Sequence, residues 1–292
     1  MVSIIIRTYN EEEHLHELLT KISTQTYKNI EVIVVDSGST DNTIEIASEF
    51  DFVNILEIKK EDFTFGYSLN YGIEKSTGEF IVMISAHCIP TDDMWLERII
   101  KPYDDPNVGI SYGRQIGVKS TKFSEHQIFK KWFPDKSVPK QLNAFCNNAN
   151  CSIRREVWLE LGGYDEKSPG LEDILLSTKM LNDTNYYLSY VSDSVIYHIH
   201  NETWNQIRNR YYREAISYSS FHGNEKFDIF DFIKLCYINI VYDIRILLEG
   251  SWIIGDIPPI LLFRYNQFLG TYKGFKYTKR NNELRKRFYY PN

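Results

Sequence analysis

The sequence predicts an α/β protein whose mostly parallel sheet is flanked by helices and followed by a helical C-terminal extension. Apolar runs typical of buried strands alternate with helical spacing through the first half of the chain. The run IEVIVV at 30–35 is rich in β-branched residues, as in a strand covered on both faces of a parallel sheet. From residue 227 onward the chain is aromatic and aliphatic at mixed spacing, and it ends in the basic stretch KYTKRNNELRKRF.

The first half of the chain is predicted to hold four strands, with a helix after each of the first three. The strands are predicted at 2–6, 30–35, 53–58 and 80–85. The first helix is indicated by the spacing of Leu15, Leu18, Leu19 and Ile22. Ser39 or Asp41 can cap the second helix, and the third is expected around 67–75. This βαβαβαβ order predicts parallel strands.

The second half is less regular. Strand-like pieces occur near 109–113 and 143–153, and further strands are expected near Tyr186 and Val195. Helices are predicted at about 172–181 and 203–220. A boundary near 223–226 would divide the chain into a main domain, 1–224, and an extension, 225–292.

Composition excludes several classes of protein. Of the 292 residues, 43% are hydrophobic and 25% charged, which is typical of a folded globular protein. The net charge of −6 argues against nucleic acid as a partner, because phosphate binding requires a basic surface. The four cysteines show no CxxC spacing, so free thiols in a reducing cytoplasm are expected. No signal peptide and no apolar run of about 20 residues is visible, so a cytoplasmic protein is expected.

Polar side chains follow three of the predicted strands. They lie in Arg7-Thr8-Tyr9-Asn10-Glu11, in DSGSTD at 36–41 and in SAHC at 85–88. Ligands of open α/β sheets bind beyond the carboxyl ends of the strands. No GxGxxG follows the first strand and no GxxxxGK[ST] occurs, which argues against dinucleotide and P-loop sites. The carboxylates of Asp36 and Asp41 suit the hydroxyls and ring nitrogens of a nucleoside, although helix capping explains each residue taken alone.

In these motifs the sequence resembles the family 2 glycosyltransferases, which have the GT-A fold. The resemblance covers about residues 2–220 and is carried by SIIIRTYNEEEHL, IEVIVVDSGSTDNT, STGEFIVMISAHCIP, GGYDE and GLEDILL. Within the family, YHIHNETWNQIRNRYYREA and LGTYKGFKY are most similar to bacterial transferases of rhamnose and related sugars.

The resemblance implies a set of nucleotide-binding residues. They are Thr8, Tyr9, Asn10, Glu11, Asp36, Ser39, Asn70, Ala86 and His87. Tyr9 would lie near the base, and Asp36 would contact the base or the ribose. Many relatives carry an Arg-Asn pair at 69–70, but Leu69 stands here in place of the arginine.

The motif GLEDILL carries the predicted catalytic residues. An inverting transfer needs one carboxylate to accept the proton of the acceptor hydroxyl. In the similar enzymes the aspartate of a Glu-Asp pair does this, which corresponds to Asp173, with Glu172 orienting it or the acceptor. The alternative is that both residues only stabilise the dipole of a helix start.

The family binds a divalent cation through a DxD motif or a single aspartate at the position of His87. Imidazole binds Mn²⁺ or Zn²⁺ but is a poor ligand for Mg²⁺. Three interpretations of His87 are open. It ligates a metal, it contacts the diphosphate directly without a metal, or the cation site is degenerate and the protein is catalytically weak. In a fourth interpretation Asp92 and Asp93 supply the cation site, although they resemble the cap of the following helix.

A second metal ligand is predicted at His198, with a structural histidine as the alternative. His198 and His200 are expected to alternate on a strand and so to point to opposite faces. Arg208, Arg210 and Arg213 follow on a helix, where a solvated face is the default interpretation.

These expectations combine into an inverting glycosyltransferase with a nucleotide-diphospho sugar donor. Its acceptor would be a growing bacterial surface polysaccharide, of capsule or O-antigen type, on a lipid carrier. Residues 226–292 suit peripheral contact with the inner face of an anionic membrane or with a partner subunit, or ordinary packing. One alternative is a non-catalytic sugar-nucleotide binding protein. A nucleotidyltransferase would need a glycine-rich basic loop where the acidic RTYNEEE stands.

Overall fold

The computed structural model describes residues 1–221, 225–250 and 254–277. These residues form two compact units. The sheet unit comprises Met1–Val118, Trp132–Ser168 and Glu172–Ile199, and the helical unit comprises Lys119–Lys131, Pro169–Leu171 and the described residues from His200 onward. Residues 222–224 of the predicted boundary, and the basic stretch from 278, lie outside the described residues. The division into 1–224 and 225–292 stays a prediction.

The sheet contains nine strands. They are β1 (Val2–Thr8), β2 (Ile30–Asp36), β3 (Val53–Glu57), β4 (Phe80–Ser85), β5 (Cys88–Pro90), β6 (Val108–Ile116), β7 (Val138–Gln141), β8 (Asn150–Arg154) and β9 (Tyr187–His198). The described α-helices are α1 (Leu15–Ser23), α2 (Thr43–Ser48), α3 (Phe65–Glu74), α4 (Trp95–Ile100), α5 (Phe123–Trp132), α6 (Arg155–Leu161), α7 (Glu172–Asp183), α8 (Trp204–Phe221), α9 (Ile229–Glu249) and α10 (Ile257–Phe275). No helix within the described ranges has the length and apolar character needed to span a bilayer.

The strand order is β3-β2-β1-β4-β8-β6-β9-β5, with β7 on β9. The first four strands are parallel, as predicted, and Ile5 on β1 pairs with Ile33 and with Met83. Beyond β4 the sheet is mixed, because β8 runs antiparallel to both β4 and β6, and β9 is antiparallel to β5 and β7. The predicted mostly parallel sheet is therefore confirmed, since β6 and β9 are also parallel, and the second half adds antiparallel pairs that were not predicted.

Two predicted strand boundaries in the second half are corrected. The strand expected over 143–153 is confined to β8, and 142–149 form a loop with a turn at its end. The two strands expected near Tyr186 and Val195 are parts of the single strand β9. Its pairing with β6 jumps from Val191 to Val195 between neighbouring β6 residues. This irregularity explains why one strand has the pattern of two.

The core of the sheet unit lies under β1, β2 and β4, where α1 and α4 cover one face with buried leucine, isoleucine and tryptophan side chains. Both faces of these strands are apolar and covered. A ligand can therefore reach polar residues of this part of the sheet at the carboxyl ends of the strands.

The helical unit is held together by α8, α9, α10 and most of α5. Arg264 on α10 donates to both carboxylate oxygens of Asp243 on α9, over 2.7 and 2.8 Å, and both side chains are buried. Gly270 and Gly274 let α10 approach α8 closely, since a Cβ at Gly270 would lie 2.4 Å from the carbonyl oxygen of Arg208. The motif LGTYKGFKY thus contributes to helix packing.

Candidate active site

Asp36 organises the loop that follows β2. Its Oδ1 accepts hydrogen bonds from the hydroxyls of Thr8 and Ser39, over 3.0 and 2.5 Å. Its Oδ2 accepts from the backbone amides of Gly38 and Ser39, both over 2.8 Å. The Asp36 side chain is fully buried. These bonds fix the loop, and a direct contact between Asp36 and a nucleoside stays a prediction.

The segment after β1 presents accessible polar groups beside this loop. Asn10 has a positive φ of 55° and donates its backbone amide to the Ser39 hydroxyl over 2.8 Å. The Tyr9 hydroxyl accepts from Nζ of Lys60 over 2.5 Å, and the ring of Tyr9 is half-buried. The two strand ends therefore form one surface, with an aromatic ring at its side.

Asn70 is held within the protein on every side. Its Oδ1 accepts from the indole of Trp158 and from the amide of Tyr164, and its Nδ2 donates to the Tyr164 carbonyl and to Glu166. A Cβ on Gly163 would lie 2.8 Å from Oδ1 of Asn70, which explains a glycine at that position. Asn70 thus anchors the GGYDE segment, and its predicted nucleotide contact remains a prediction.

Ala86 is part of the apolar core, together with Cys88. Its methyl group is buried, so a contact with nucleotide would have to use its backbone. That contact also stays a prediction.

Glu172 and Asp173 begin α7, where both side chains are at least nine-tenths buried. Oε1 of Glu172 lies 3.4 Å from Nη1 of Arg7 at the end of β1, and 3.3 Å from Nδ2 of Asn148. Asp173 accepts the backbone amides of Asn148 and Ile174, over 3.1 and 2.8 Å. The helix predicted over 172–181 is confirmed, and it brings the acidic pair into contact with the first strand end.

The surroundings of Asp173 favour its protonated form. Burial, and next the neighbouring carboxylate of Glu172, raise the pKa of Asp173 to about 7. The amides of Asn148 and Ile174 and the charge of Arg7 act in the opposite direction. A carboxyl group with a pKa near neutrality is suited to accept and release a proton at physiological pH.

His87 and His198 lie side by side, with ring centroids 5.2 Å apart. Nδ1 of His87 is 2.9 Å from Oε1 of Glu11, and Nδ1 of His198 is 2.7 Å from Oε1 of Gln115. An oxygen acceptor at each Nδ1 selects the tautomer in which Nδ1 donates and Nε2 carries the lone pair. The strand ends at His198, so the expected alternation with His200 along a strand is wrong.

The two histidines have the features of metal ligands. Their ligand nitrogens lie within 4.8 Å of one another. Metal-binding histidines commonly donate their second nitrogen to a carboxylate or amide oxygen, as both do here. Two imidazole nitrogens suit Mn²⁺ or Zn²⁺ better than Mg²⁺.

Asp92 and Asp93 serve the fold. Asp92 accepts the backbone amide of Met94 at the start of α4 and pairs with Arg98 over 2.6 Å. Asp93 accepts from the hydroxyl of Thr24 over 2.7 Å. The interpretation of the two residues as the cap of α4 is thus corrected: the N-cap is Met94, Asp92 bonds to its amide, and Asp93 bonds to Thr24 after α1.

Arg210 in the helical unit is not part of a solvated face. Its Nη2 lies 2.7 Å from Oε1 of Glu125 and 2.6 Å from Oε2 of Glu202, and Nδ1 of His200 also contacts Glu125. Glu125, His200 and Glu202 are close enough to hold a metal, but the guanidinium already supplies a positive charge there. The default interpretation of Arg210 is thus corrected to a structural ion pair.

Sequence reasoning missed Arg7, Gln115, Asn148 and Tyr164. Arg7 stands within the quoted motif RTYN, so its position at the strand end was visible but its partner was not. Gln115 lies just after the strand predicted near 109–113 and Asn148 lies within the one predicted over 143–153, and only the fold brings them to His198 and Glu172.

Comparison with known proteins agrees with this geometry. The family model described as Glycosyl transferase family 2 matches residues 3–162. The chain is 26% identical over 287 residues to the O-antigen chain rhamnosyltransferase RfbN of Salmonella typhimurium, covering 92% of this chain and 88% of that protein. It is also 26% identical over 292 residues to the O-antigen chain rhamnosyltransferase WbaN of Salmonella anatum, covering 92% and 87%.

Solved structures show the same fold. The mannosyltransferase PcManGT of Pyrobaculum calidifontis, in complex with GDP-Man and Mn²⁺, superposes with a TM-score of 0.64 at 18% identity, covering 94% of this chain and 86% of that one. TarS 1-349 of S. aureus in complex with UDP-GlcNAc superposes with a TM-score of 0.60 at 16% identity, covering 93% and 91%. Because the family model matches more than half of this chain, the chain belongs to glycosyl transferase family 2, and it has the GT-A fold.

Proposed function

We propose that the protein transfers a sugar from a nucleotide-diphospho donor with inversion, and that Asp173 is the catalytic base. The observation that carries this proposal is the buried Asp173 carboxyl, whose pKa is about 7 beside Glu172. As a carboxylate, it accepts the proton of the acceptor hydroxyl while that oxygen bonds to the anomeric carbon. The bond from that carbon to the diphosphate breaks on the opposite face, and the nucleoside diphosphate leaves with the electron pair.

The donor pocket is proposed at the ends of β1 and β2. Tyr9 offers an aromatic ring, while Asn10 and Ser39 join the two loops by a hydrogen bond. The family membership supports a nucleoside at this edge, and the buried bonds of Asp36 keep the loop in shape before the ligand arrives. The structural relatives in complex with GDP-Man and with UDP-GlcNAc support a nucleotide-diphospho sugar as donor.

A divalent cation is proposed at His87 and His198. When bound, it would offset the charge that develops on the departing diphosphate. The nitrogen donors favour Mn²⁺ over Mg²⁺, and Mn²⁺ is present in the complex of the Pyrobaculum relative. Direct contact between His87 and the diphosphate, without a metal, is the competing mechanism.

The acceptor is proposed to be a growing surface polysaccharide on a lipid carrier. Two relatives that match over most of this chain are O-antigen chain rhamnosyltransferases, which favours an O-antigen type of glycan and a rhamnose-like sugar. A capsule-type glycan is the second candidate, because the same chemistry extends either polymer.

Peripheral contact with the inner face of the cell membrane is supported by the surface of α9. Its exposed residues recur at helical spacing and form a face that is mainly apolar: Ile229, Phe230, Ile233, Lys234, Tyr237, Ile238, Val241, Tyr242, Arg245, Leu248 and Glu249. Phe230, Tyr237 and Leu248 are 76%, 68% and 67% exposed. An exposed apolar face of this size marks an interaction site.

We assign this α9 face to an anionic bilayer. Lys234 lies within the apolar face, as does Arg245, which pairs with Glu249 over 2.9 Å. The sequence after residue 277 adds Lys279, Arg280, Arg285, Lys286 and Arg287 against Glu283. Apolar and aromatic residues with interspersed bases are typical of helices that lie in the plane of an anionic membrane. An acceptor on a lipid carrier would lie at the same surface.

Incubation with nucleotide-diphospho-rhamnose, GDP-mannose and UDP-GlcNAc, with Mn²⁺ and a lipid-linked glycan, tests the proposed function. We expect transfer from one donor, and NMR should show the anomeric configuration opposite to that of the donor. Retained configuration would overturn the role of Asp173. A protein that binds donor but neither transfers nor hydrolyses it would instead be the non-catalytic alternative.

A further inference from the structure

A chain of hydrogen bonds leads from Tyr164 to the acidic pair at the start of α7. The Tyr164 hydroxyl lies 3.2 Å from Oδ1 of Asn148, and Nδ2 of Asn148 lies 3.3 Å from Oε1 of Glu172. The backbone amide of the same Asn148 donates to Oδ2 of Asp173 over 3.1 Å. All four side chains are more than nine-tenths buried. Asn148 is therefore bonded to both members of the proposed catalytic pair.

The direction of each hydrogen bond follows from the chemistry of the groups. An ionised Glu172 can only accept, so the amide of Asn148 must turn its Nδ2 toward it. Oδ1 of Asn148 then faces Tyr164 and needs a donor. Burial raises the pKa of the Tyr164 phenol well above its ordinary value, so this hydroxyl keeps its proton and donates. Tyr164 thereby selects one of the two orientations of the Asn148 amide.

The two carboxyl groups of the pair differ in their hydrogen-bond donors. Oε1 of Glu172 has two donors, Arg7 and Asn148, both of which stabilise the ionised form. Asp173 accepts from two backbone amides and is next to the Glu172 charge. The thiol of Cys146 is also close to the pair and donates to the backbone carbonyl of Asp173.

We propose that Asn148, oriented by Tyr164, is a positioning residue that keeps Glu172 ionised so that the exchangeable proton of the pair resides on Asp173. This inference rests on the proposed function and adds the residues that set the protonation state of the base. Loss of a donor to Glu172 destabilises the doubly ionised pair, which must form before Asp173 can act as a base. The pH at which the pair loses its last proton should therefore rise.

The test compares Tyr164→Phe, Asn148→Asp and Asn148→Ala with the wild type. Tyr164→Phe removes only the hydroxyl, and Asn148→Asp places a third carboxyl group where Nδ2 lies near Glu172. We expect the acid limb of the kcat–pH profile to move to higher pH in all three variants, by about one unit or more in Asn148→Asp. At pH 7 a shift of one unit lowers kcat about fivefold, so kcat should fall about fivefold or more in Asn148→Asp and less in Tyr164→Phe, while donor binding by calorimetry stays unchanged.

Tyr103→Phe is the matched control. Tyr103 is also a buried tyrosine of the sheet unit, and its hydroxyl bonds to that of Ser152, away from the acidic pair. A structural role alone would lower the melting temperature in both Tyr→Phe variants and leave the acid limb in place.

The inference is overturned if the acid limb of the kcat–pH profile stays at the wild-type pH in Tyr164→Phe and Asn148→Ala. These two variants are sufficient for the test if Asn148→Asp does not fold. Asp173→Asn in the same assay separates this failure from that of the proposed function. An inactive Asp173→Asn with unmoved limbs in the other variants removes the role of Asn148 alone. An active Asp173→Asn removes the base itself and the inference with it.

Discussion

Nδ1 of His87 lies 2.9 Å from Oε1 of Glu11, joining the polar ends of β4 and β1. Under the proposed cation site, this contact prepares His87 to hold the metal at the position where the family resemblance implies an aspartate. Because the carboxylate accepts from Nδ1, Nε2 of His87 carries the lone pair that a metal requires. A carboxylate at this distance also opposes the approach of a diphosphate, which makes a bridging cation more favourable.

The metal hypothesis predicts that EDTA abolishes sugar transfer and that Mn²⁺ restores it better than Mg²⁺ does. His87→Ala and His198→Ala should both weaken Mn²⁺ binding in calorimetry, and binding should weaken in acid because imidazole ligates only when neutral. If His87 instead binds the diphosphate directly, EDTA will have no effect and donor binding will strengthen in acid. Full activity of His87→Ala would exclude both mechanisms.

The pH dependence of turnover should reflect Asp173. Burial and Glu172 raise its pKa to about 7, and a base must be ionised to accept a proton. At saturating donor and acceptor, kcat should therefore rise as the pH increases through about 7 and level off above it. The measurement is a kcat–pH profile with a metal concentration that saturates at every pH. A profile already flat between pH 5 and 8 would contradict the assignment.

The loop after β2 should depend on Asp36. Asp36→Ala leaves two hydroxyls and two backbone amides without their acceptor, so the loop loses its shape. We expect binding of the nucleoside diphosphate to weaken by about 1–3 kcal/mol in calorimetry. Asp105→Ala is the control, because Asp105 bonds to Asn107 and Tyr187, outside this loop. Equal affinities of wild type and a folded Asp36→Ala would separate this loop from the donor site.

Membrane contact through the α9 face can be measured by co-sedimentation with vesicles that contain phosphatidylglycerol. Substituting Phe230, Tyr237 and Leu248 by serine removes three of the most exposed apolar side chains of this face, and binding should fall at least tenfold. Leu159→Ser, an equally exposed leucine on α6, should bind like the wild type. If the triple variant sediments unchanged but elutes as a smaller species in gel filtration, the α9 face is a dimer interface instead.

The first half of the fold was predictable because its signals are local. Each strand there is a short apolar run, and the polar residues that follow it in sequence also follow it in space. The helix start at Glu172 and Asp173 could be predicted from GLEDILL because helix starts keep neighbouring residues together. The resemblance to a family supplied the proposed role of Asp173 as a base. Without it, an acidic residue at a helix start indicates only stabilisation of the helix.

The remaining features depend on contacts between distant parts of the chain. Arg7 meets Glu172 across 165 positions, and His198 meets Gln115 across 83. No periodicity in the sequence encodes such pairs. The direction of β8 was likewise not visible, since a buried strand has the same apolar pattern in either orientation.

The central claim, that Asp173 is the base of an inverting transfer, is tested most directly by the turnover of Asp173→Asn at saturating donor and acceptor. The substitution keeps the shape and removes the basicity, so kcat should fall by about 10²–10⁴-fold while the Kd of the donor stays at the wild-type value. Asp165→Asn is the control, since the carboxylate of Asp165 accepts the backbone amides of Lys167 and Ser168 in its own turn. An Asp173→Asn variant that turns over at the wild-type rate would contradict the account.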